Sequence, residues 1–135
     1  MDKSKFSTKP FIKKVEKPWG YELVFAPTTS PVTGKMLHLD EGKRFSLQYH
    51  DKKEEVLTLV SGRATLSIEN GKGEMEDLEM EKNKGYLVCI FQKHRVAAIS
   101  DCDVFEASTG EKGNTVRVED DYNRSTETED LRKKR

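Results

Sequence analysis

Turn-forming residues punctuate the middle of this chain at roughly 8–12-residue intervals, leaving runs too short for helices between them. Lys35-Met36-Leu37-His38-Leu39-Asp40 alternates in polarity and ends at Glu41-Gly42. Arg44 to His50 alternates again, and Val56-Leu57-Thr58-Leu59-Val60 is an apolar run closed by Ser61-Gly62. Arg63 to Glu69 runs into Asn70-Gly71, a hairpin dipeptide because both positions tolerate positive φ, and Glu74 to Met80 answers it. Asn83-Lys84-Gly85 turns into Tyr86 to Ile90, and His94–Ile99, Asp103–Ala107 and Thr115–Val118 follow. Side chains on a strand alternate between faces, so this period of two predicts nine or ten short strands and an all-β sandwich or barrel. Only Glu76 to Lys84 also admits a helical turn by its charges, and its Met/Leu spacing fits a strand equally well.

A chain of 135 residues forms one domain. Charged residues (36%) outnumber hydrophobic ones (34%), which is low for a globule and predicts that part of the chain is solvated tail. Residues 125–135 contain one large apolar side chain, Leu131, and are expected as a disordered charged tail; residues 1–15 are expected as a flexible or arm-like N-terminus. The folded domain is then 16–124. Lys plus Arg equals Asp plus Glu at 24 each, so the chain lacks the basic excess of a general nucleic-acid binder. No apolar run approaches the ~20 residues of a membrane span. The N-terminus leads into no apolar signal stretch, and a cytoplasmic setting is expected. Cys89 and Cys102 form no metal or redox spacing and are expected as free, buried thiols. Trp19, in Pro18-Trp19-Gly20, is expected to seal the core, and His38 to be structural.

Four residues form a chemical constellation. Gln48 and His50, at i and i+2, project from one strand face. Glu55 opens the next strand after a short turn that would return it beside His50, and His94 starts a later strand. Two imidazoles, a carboxylate and an amide oxygen suit a divalent ion such as zinc, manganese or iron, although an isolated strand histidine is more often a surface or hydrogen-bonded residue and Gln is a poor ligand.

Several segments occur in an order that resembles one family: Lys17-Pro18-Trp19-Gly20, Gly42-Lys43-Arg44-Phe45-Ser46-Leu47-Gln48-Tyr49-His50, Glu55, Gly62-Arg63-Ala64, His94-Arg95, and Val116-Arg117-Val118-Glu119-Asp120-Asp121-Tyr122-Asn123-Arg124. From Lys17 to Arg124 the chain resembles the cupin domain of type II mannose-6-phosphate isomerases, often the C-terminal half of a bifunctional enzyme with mannose-1-phosphate guanylyltransferase. The resemblance implies a double-stranded β-helix, the jelly-roll barrel of cupins, with Gln48, His50, Glu55 and His94 as ligands of a divalent metal, zinc first and manganese, iron or nickel otherwise. It implies interconversion of mannose 6-phosphate and fructose 6-phosphate, or of a related phosphosugar. Catalytic candidates are Glu106, Arg95 and Lys53. Candidates for holding the substrate's phosphate are Arg44, Lys53, Arg95 and Arg124. The identity of the base is open, because Glu106 could equally face outward. A homodimer is expected because barrels of this kind expose strand edges.

The chain departs from the family at Val88 to His94, which lacks the Pro and Gly that normally precede the second histidine, and at Lys53, where Arg is usual. Leu57 replaces a usual Trp and Asn123 a usual Gly. No Gly-rich phosphate loop is present, so guanylyl transfer is not expected of this chain. A non-catalytic sugar-binding or regulatory cupin is one alternative. Other metal chemistry on the same fold, as in oxygenases or sugar-nucleotide epimerases, is another, since fold does not fix reaction.

Overall fold

The computed structural model describes residues 1–134; Arg135, the end of the expected tail, lies outside them. Among the described residues there are eleven strands: β1 (Lys13–Lys17), β2 (Gly20–Val24), β3 (Val32–Leu39), β4 (Leu47–His50), β5 (Glu55–Ser61), β6 (Ala64–Glu69), β7 (Met75–Glu79), β8 (Gly85–Val88), β9 (His94–Ala98), β10 (Cys102–Thr109) and β11 (Thr115–Glu119). A short helix, α1 (Glu129–Lys133), follows. The strands form a six-stranded sheet in the order β1-β2-β3-β10-β5-β8 and a five-stranded sheet in the order β11-β4-β9-β6-β7, and the pairs within both are antiparallel. This is the expected all-β, double-stranded β-helix. Glu76 to Glu79 lies in strand β7, so the helical alternative does not hold there.

Register explains how the interior is divided. In the six-stranded sheet Leu37 pairs with Val104 and Leu39 with Cys102, and these residues, with Leu57 and Leu59, are almost wholly buried. One register step along, Lys35 pairs with Glu106, and Glu55 pairs with Ser108. The facing sheet repeats the pattern. Ala64, Leu66, Val96 and Ala98 form its apolar end, while Gln48 pairs with His94 and His50 with Thr115 at the other. The barrel is therefore apolar at one end and lined by charge and imidazole at the other. Trp19 is 3% exposed and packs on Phe45, with ring centroids 6.0 Å apart, as a sealing role requires. His38 sits outside, stacked on Tyr21 and 2.8 Å from Asp103 through Nδ1. Cys102 is buried as expected, but Cys89 is exposed; both are free.

Two segments differ from expectation. Strand β4 starts at Leu47 rather than Arg44, because Phe45 and Ser46 are both buried and break the alternation. The closing segment is placed against the body and not left as solvated chain. Thr115 and Glu127 exchange two backbone hydrogen bonds, at 2.9 and 3.0 Å. Thr128 caps α1 by accepting from the Leu131 amide, and Arg132 is 7% exposed, with Nε 3.0 Å from Glu127 Oε1. Polar contacts anchor this segment, and apolar content alone does not register them. Residues 1–12 lie outside the strands and are exposed.

The cross-strand pair Leu66–Leu78 isolates the value of burial, since Leu66 is fully buried while Leu78, on the all-exposed strand β7, is 38% accessible. Leu66→Ala is expected to cost about 2–5 kcal/mol in urea unfolding, and Leu78→Ala less than about 1 kcal/mol. Equal losses would contradict this layering.

Candidate metal centre

Strand register places the two histidines together. Gln48 of β4 pairs directly with His94 of β9, and His50 lies two residues further along the same face. The His50 and His94 rings have centroids 5.2 Å apart. Glu55, opening β5 in the facing sheet, reaches across. Its Oε1 is 2.9 Å from His94 Nε2 and 3.4 Å from His50 Nε2. One ligand atom from each of the three residues falls within 4.8 Å of the others, and all three side chains are buried. His50, Glu55 and His94 are thus brought together as expected from sequence, despite the missing Pro and Gly before His94.

Ring orientation favours a cation. His94 Nδ1 is 3.0 Å from the Gln92 carbonyl oxygen, which can only accept, so Nδ1 carries the proton and Nε2 presents its lone pair inward. His50 Nδ1 is also tethered, 3.0 Å from Thr115 Oγ1, a hydroxyl able to accept from it. His50 Nε2, His94 Nε2 and Glu55 Oε2 are all buried without a hydrogen-bond partner. Each such orphan costs about 1–3 kcal/mol, and one cation satisfies the set. Outer partners that hold the distal ring nitrogen are what a metal-binding histidine requires. Burial, and then the charge of Lys53, push the His50 imidazole down to about 4, so it is neutral at neutral pH, the form that coordinates metal. Burial would raise the Glu55 carboxyl, but Lys53 and the two imidazoles outweigh it and hold the group well below the usual carboxylate range. These residues fit a divalent ion of intermediate hardness.

The adjoining cavity, which His50 and Glu55 line, has about 60 Å³ of room. Gln48 lines it, its Oε1 accepting from Ser46 Oγ at 2.6 Å. Lys53 is 5% exposed, with Nζ 3.1 Å from Glu106 Oε2 and 3.6 Å from Glu55 Oε2. Glu106 faces inward, and its outward alternative does not hold. Burial and then the charge of Glu55 raise its carboxyl to about 7, against the pull of Lys53 and Lys35. Arg124 also lines the cavity, though Asp120 grips its guanidinium with bonds of 3.0 Å to both Nε and Nη2.

Arg95 and Arg44, expected to contact substrate, are not among the residues lining this cavity. Arg95 follows His94 in β9, so alternation sends it to the opposite face. There its Nε donates to the Phe45 carbonyl at 3.0 Å, and Nη1 lies 3.5 Å from Glu119. Arg44 forms paired bonds to Asp121 at 2.7 and 2.9 Å. The acidic run Glu119–Asp121 is therefore an arginine clamp as well as a solvated turn. The cavity also contains side chains that sequence reading did not single out, among them Glu22, Lys35, Glu111, Thr115 and Glu127. Of these, Lys35 shares the parity of Leu37 and Leu39 and was open to detection; the others carry no local signal.

Protein purified without added metal is expected to carry about one divalent ion per chain by elemental analysis. His50→Ala and His94→Ala should lose it. Thr115→Val keeps the shape but removes the His50 tether, and should weaken metal affinity about 10–100-fold in equilibrium dialysis. A metal content that none of the three changes would remove the centre.

No family model matches the sequence, and no curated protein matches it either. Solved structures do. KdgF from Halomonas sp. matches with a TM-score of 0.60 at 16% identity, over 76% of this chain and 89% of that one. Bacillus subtilis oxalate decarboxylase, in a deletion mutant, matches with a TM-score of 0.69 at 16% identity, over 85% of this chain and 33% of that one. CapF, a capsular polysaccharide assembling protein from Staphylococcus aureus, matches with a TM-score of 0.62 at 14% identity, over 87% of this chain and 34% of that one. The chain thus spans about a third of the latter two. At these identities the likeness is one of architecture, and the chain has the cupin fold, with a metal-competent His-Glu-His group inside its barrel.

Proposed function

We propose that this protein is a metal-dependent cupin acting on a small phosphorylated sugar, with aldose–ketose isomerisation of the mannose 6-phosphate/fructose 6-phosphate type as its reaction. The supporting observation is Glu106, a buried carboxyl that lines the same cavity as Gln48, His50 and Glu55 and is pushed up to about 7 by burial and the charge of Glu55. Isomerisation moves one proton between C1 and C2 through an enediol, which needs a group that both accepts and returns a proton near neutral pH. Glu106 has that property. Lys53, 3.1 Å away, steadies its charged form and presents an ammonium to the oxygen that gains charge. The chain would hold the ion through His50, Glu55 and His94, with Gln48 as a fourth donor. A bound divalent ion would supply Lewis-acid polarisation of the sugar carbonyl and its neighbouring hydroxyl. Arg124, Arg117 and Lys17 line the same cavity and offer cationic contacts for a phosphate.

A second reading, a sugar-binding cupin without turnover, draws support from the small interior, about 60 Å³ against the roughly 300–1,000 Å³ of small-molecule sites. Free cysteines accord with a cytoplasmic setting, and the strand edges with a homodimer. Among the described residues no helix is long and apolar enough to cross a membrane.

A coupled assay with mannose 6-phosphate in metal-supplemented buffer tests the isomerase. Wild type should turn over, and Glu106→Gln and His50→Ala should each lose about 10²–10⁴-fold in kcat/KM. Absence of wild-type turnover with every hexose phosphate, alongside saturable binding, would leave the second reading.

A further inference from the structure

Two cavities meet across one side chain. The barrel cavity, at about 60 Å³, has room for a few waters. A second cavity of about 330 Å³ lies against the closing segment, lined by Lys13, Thr28, Thr29, Glu129, Arg132 and Lys133, together with Glu111. Among the described residues, Glu111 is the one that lines both. It belongs to the loop between β10 and β11, whereas its acidic neighbours Glu22 and Glu106 are fixed on strands.

Three cations from three separate segments converge on the Glu111 carboxylate. Lys35 of β3 contacts Oε1, Lys53 Nζ is 4.0 Å from Oε2, and Arg132 Nε of α1 is 3.5 Å from Oε2. All four side chains are at most 8% exposed. Arg132 Nη1 is buried and makes no hydrogen bond, so the cluster has donor capacity that Glu111 leaves unused. Glu22 at 3.7 Å from Lys35, Glu106 at 3.1 Å and Glu55 at 3.6 Å from Lys53, and Glu127 at 3.0 Å from Arg132 are the other carboxylates around these cations. Two lysines and an arginine closing on one oxyanion form the kind of clamp proteins build for phosphate and carboxylate.

We propose that Glu111 is an internal stand-in for the oxyanion of a ligand: a phosphate ester or carboxylate entering by the outer cavity displaces it from Lys35, Lys53 and Arg132 and joins the two cavities into one of ligand size. The inference extends the phosphosugar reading by naming where the anion enters and what it replaces. It also resolves the mismatch in size, since the outer cavity alone falls within the range of small-molecule sites.

Trp19 is the only tryptophan and lines the inner cavity, so its fluorescence reports on this site. The test titrates wild type and Glu111→Gln with inorganic phosphate, and separately with acetate, at constant ionic strength. Glu111→Gln should bind at least one of these anions about ten-fold more tightly than wild type, a difference of ~1.4 kcal/mol, and the preferred anion names the ligand's charged group. Adding Lys35→Met to Glu111→Gln should abolish the gain. Equal affinities in wild type and Glu111→Gln for both anions would overturn the proposal, as would a gain that survives Lys35→Met. Should Glu111→Gln fail to fold, wild type alone decides. Release of the loop by phosphate or acetate should speed tryptic cleavage after Lys112, which is exposed, and an unchanged rate with both would overturn it. Turnover of a phosphosugar with no anion gain in Glu111→Gln rejects this inference alone, and an anion gain without turnover rejects only the isomerase.

Discussion

Lys53 faces three carboxylates in a space that holds little water: Glu106 at 3.1 Å, Glu55 at 3.6 Å and Glu111 at 4.0 Å. Unit charges 4 Å apart interact by about 4 kcal/mol at an effective dielectric constant of 20, so these acids could not share the barrel without a cation among them. The lysine cannot shed its proton either. Burial alone would lower its pKa, but the surrounding carboxylates outweigh burial and raise it. The polar end of the barrel is in this sense one electrostatic unit, and the apolar rows of Leu37, Leu57 and Val104 beneath it supply the stability that tolerates its desolvation.

The unit divides protons unevenly, which matters for chemistry. Glu55 lies against Lys53 and two imidazoles and stays ionised, as a metal ligand must. Glu106 is held close to neutrality by burial and by the charge on Glu55. Two carboxylates whose surroundings drive them apart are the usual physical basis for separating a ligand from an acid–base group within one pocket. Strand geometry enforces the division: Glu55 opens β5 in register with Ser108, two residues from Glu106 on β10, so both point inward from adjoining rows.

Much of this could be read from the residues, because period-two patterning carries real information about faces. It put Gln48 and His50 on one side of a strand, and the Asn70-Gly71 hairpin and the spacing of turns pointed to a closed all-β body. The same parity places Lys35 inward with Leu37 and Leu39, and sends Arg95 away from His94. Charge alone hides the inward lysine and lends the arginine the character of a substrate contact. Strands β1 and β2 lack clean alternation; β2 is held by pairing to β3 through the Glu22–Leu37 register, and β1 by pairing to β2. Burial of Phe45 goes with its packing on Trp19, a long-range contact with no local signature, while the buried Ser46 hydroxyl donates to Gln48 Oε1. Glu111 sits in a loop and Arg132 in a charged terminal run, and nothing in either segment announces that its side chain is buried.

The closing segment matters to the metal centre through hydrogen bonds rather than apolar area. Glu127 pairs with the backbone of Thr115, whose hydroxyl orients His50. The Glu129 amide donates to Asn114 Oδ1, and the Asn114 backbone and side-chain amides donate to Asp51, the residue after His50, at 2.7 and 3.0 Å. Residues 127–129 and 50–51 are thereby joined through β11 into one bonded network. His50 ends a four-residue strand, and the Thr115 hydroxyl holds its Nδ1 while Glu55 and the His94 ring lie against the rest of the imidazole. The Nδ1 tether that aims Nε2 at Glu55 thus comes from Thr115, 65 positions away in sequence, and hydrogen bonds rather than apolar burial offset the entropy of ordering residues 127–133.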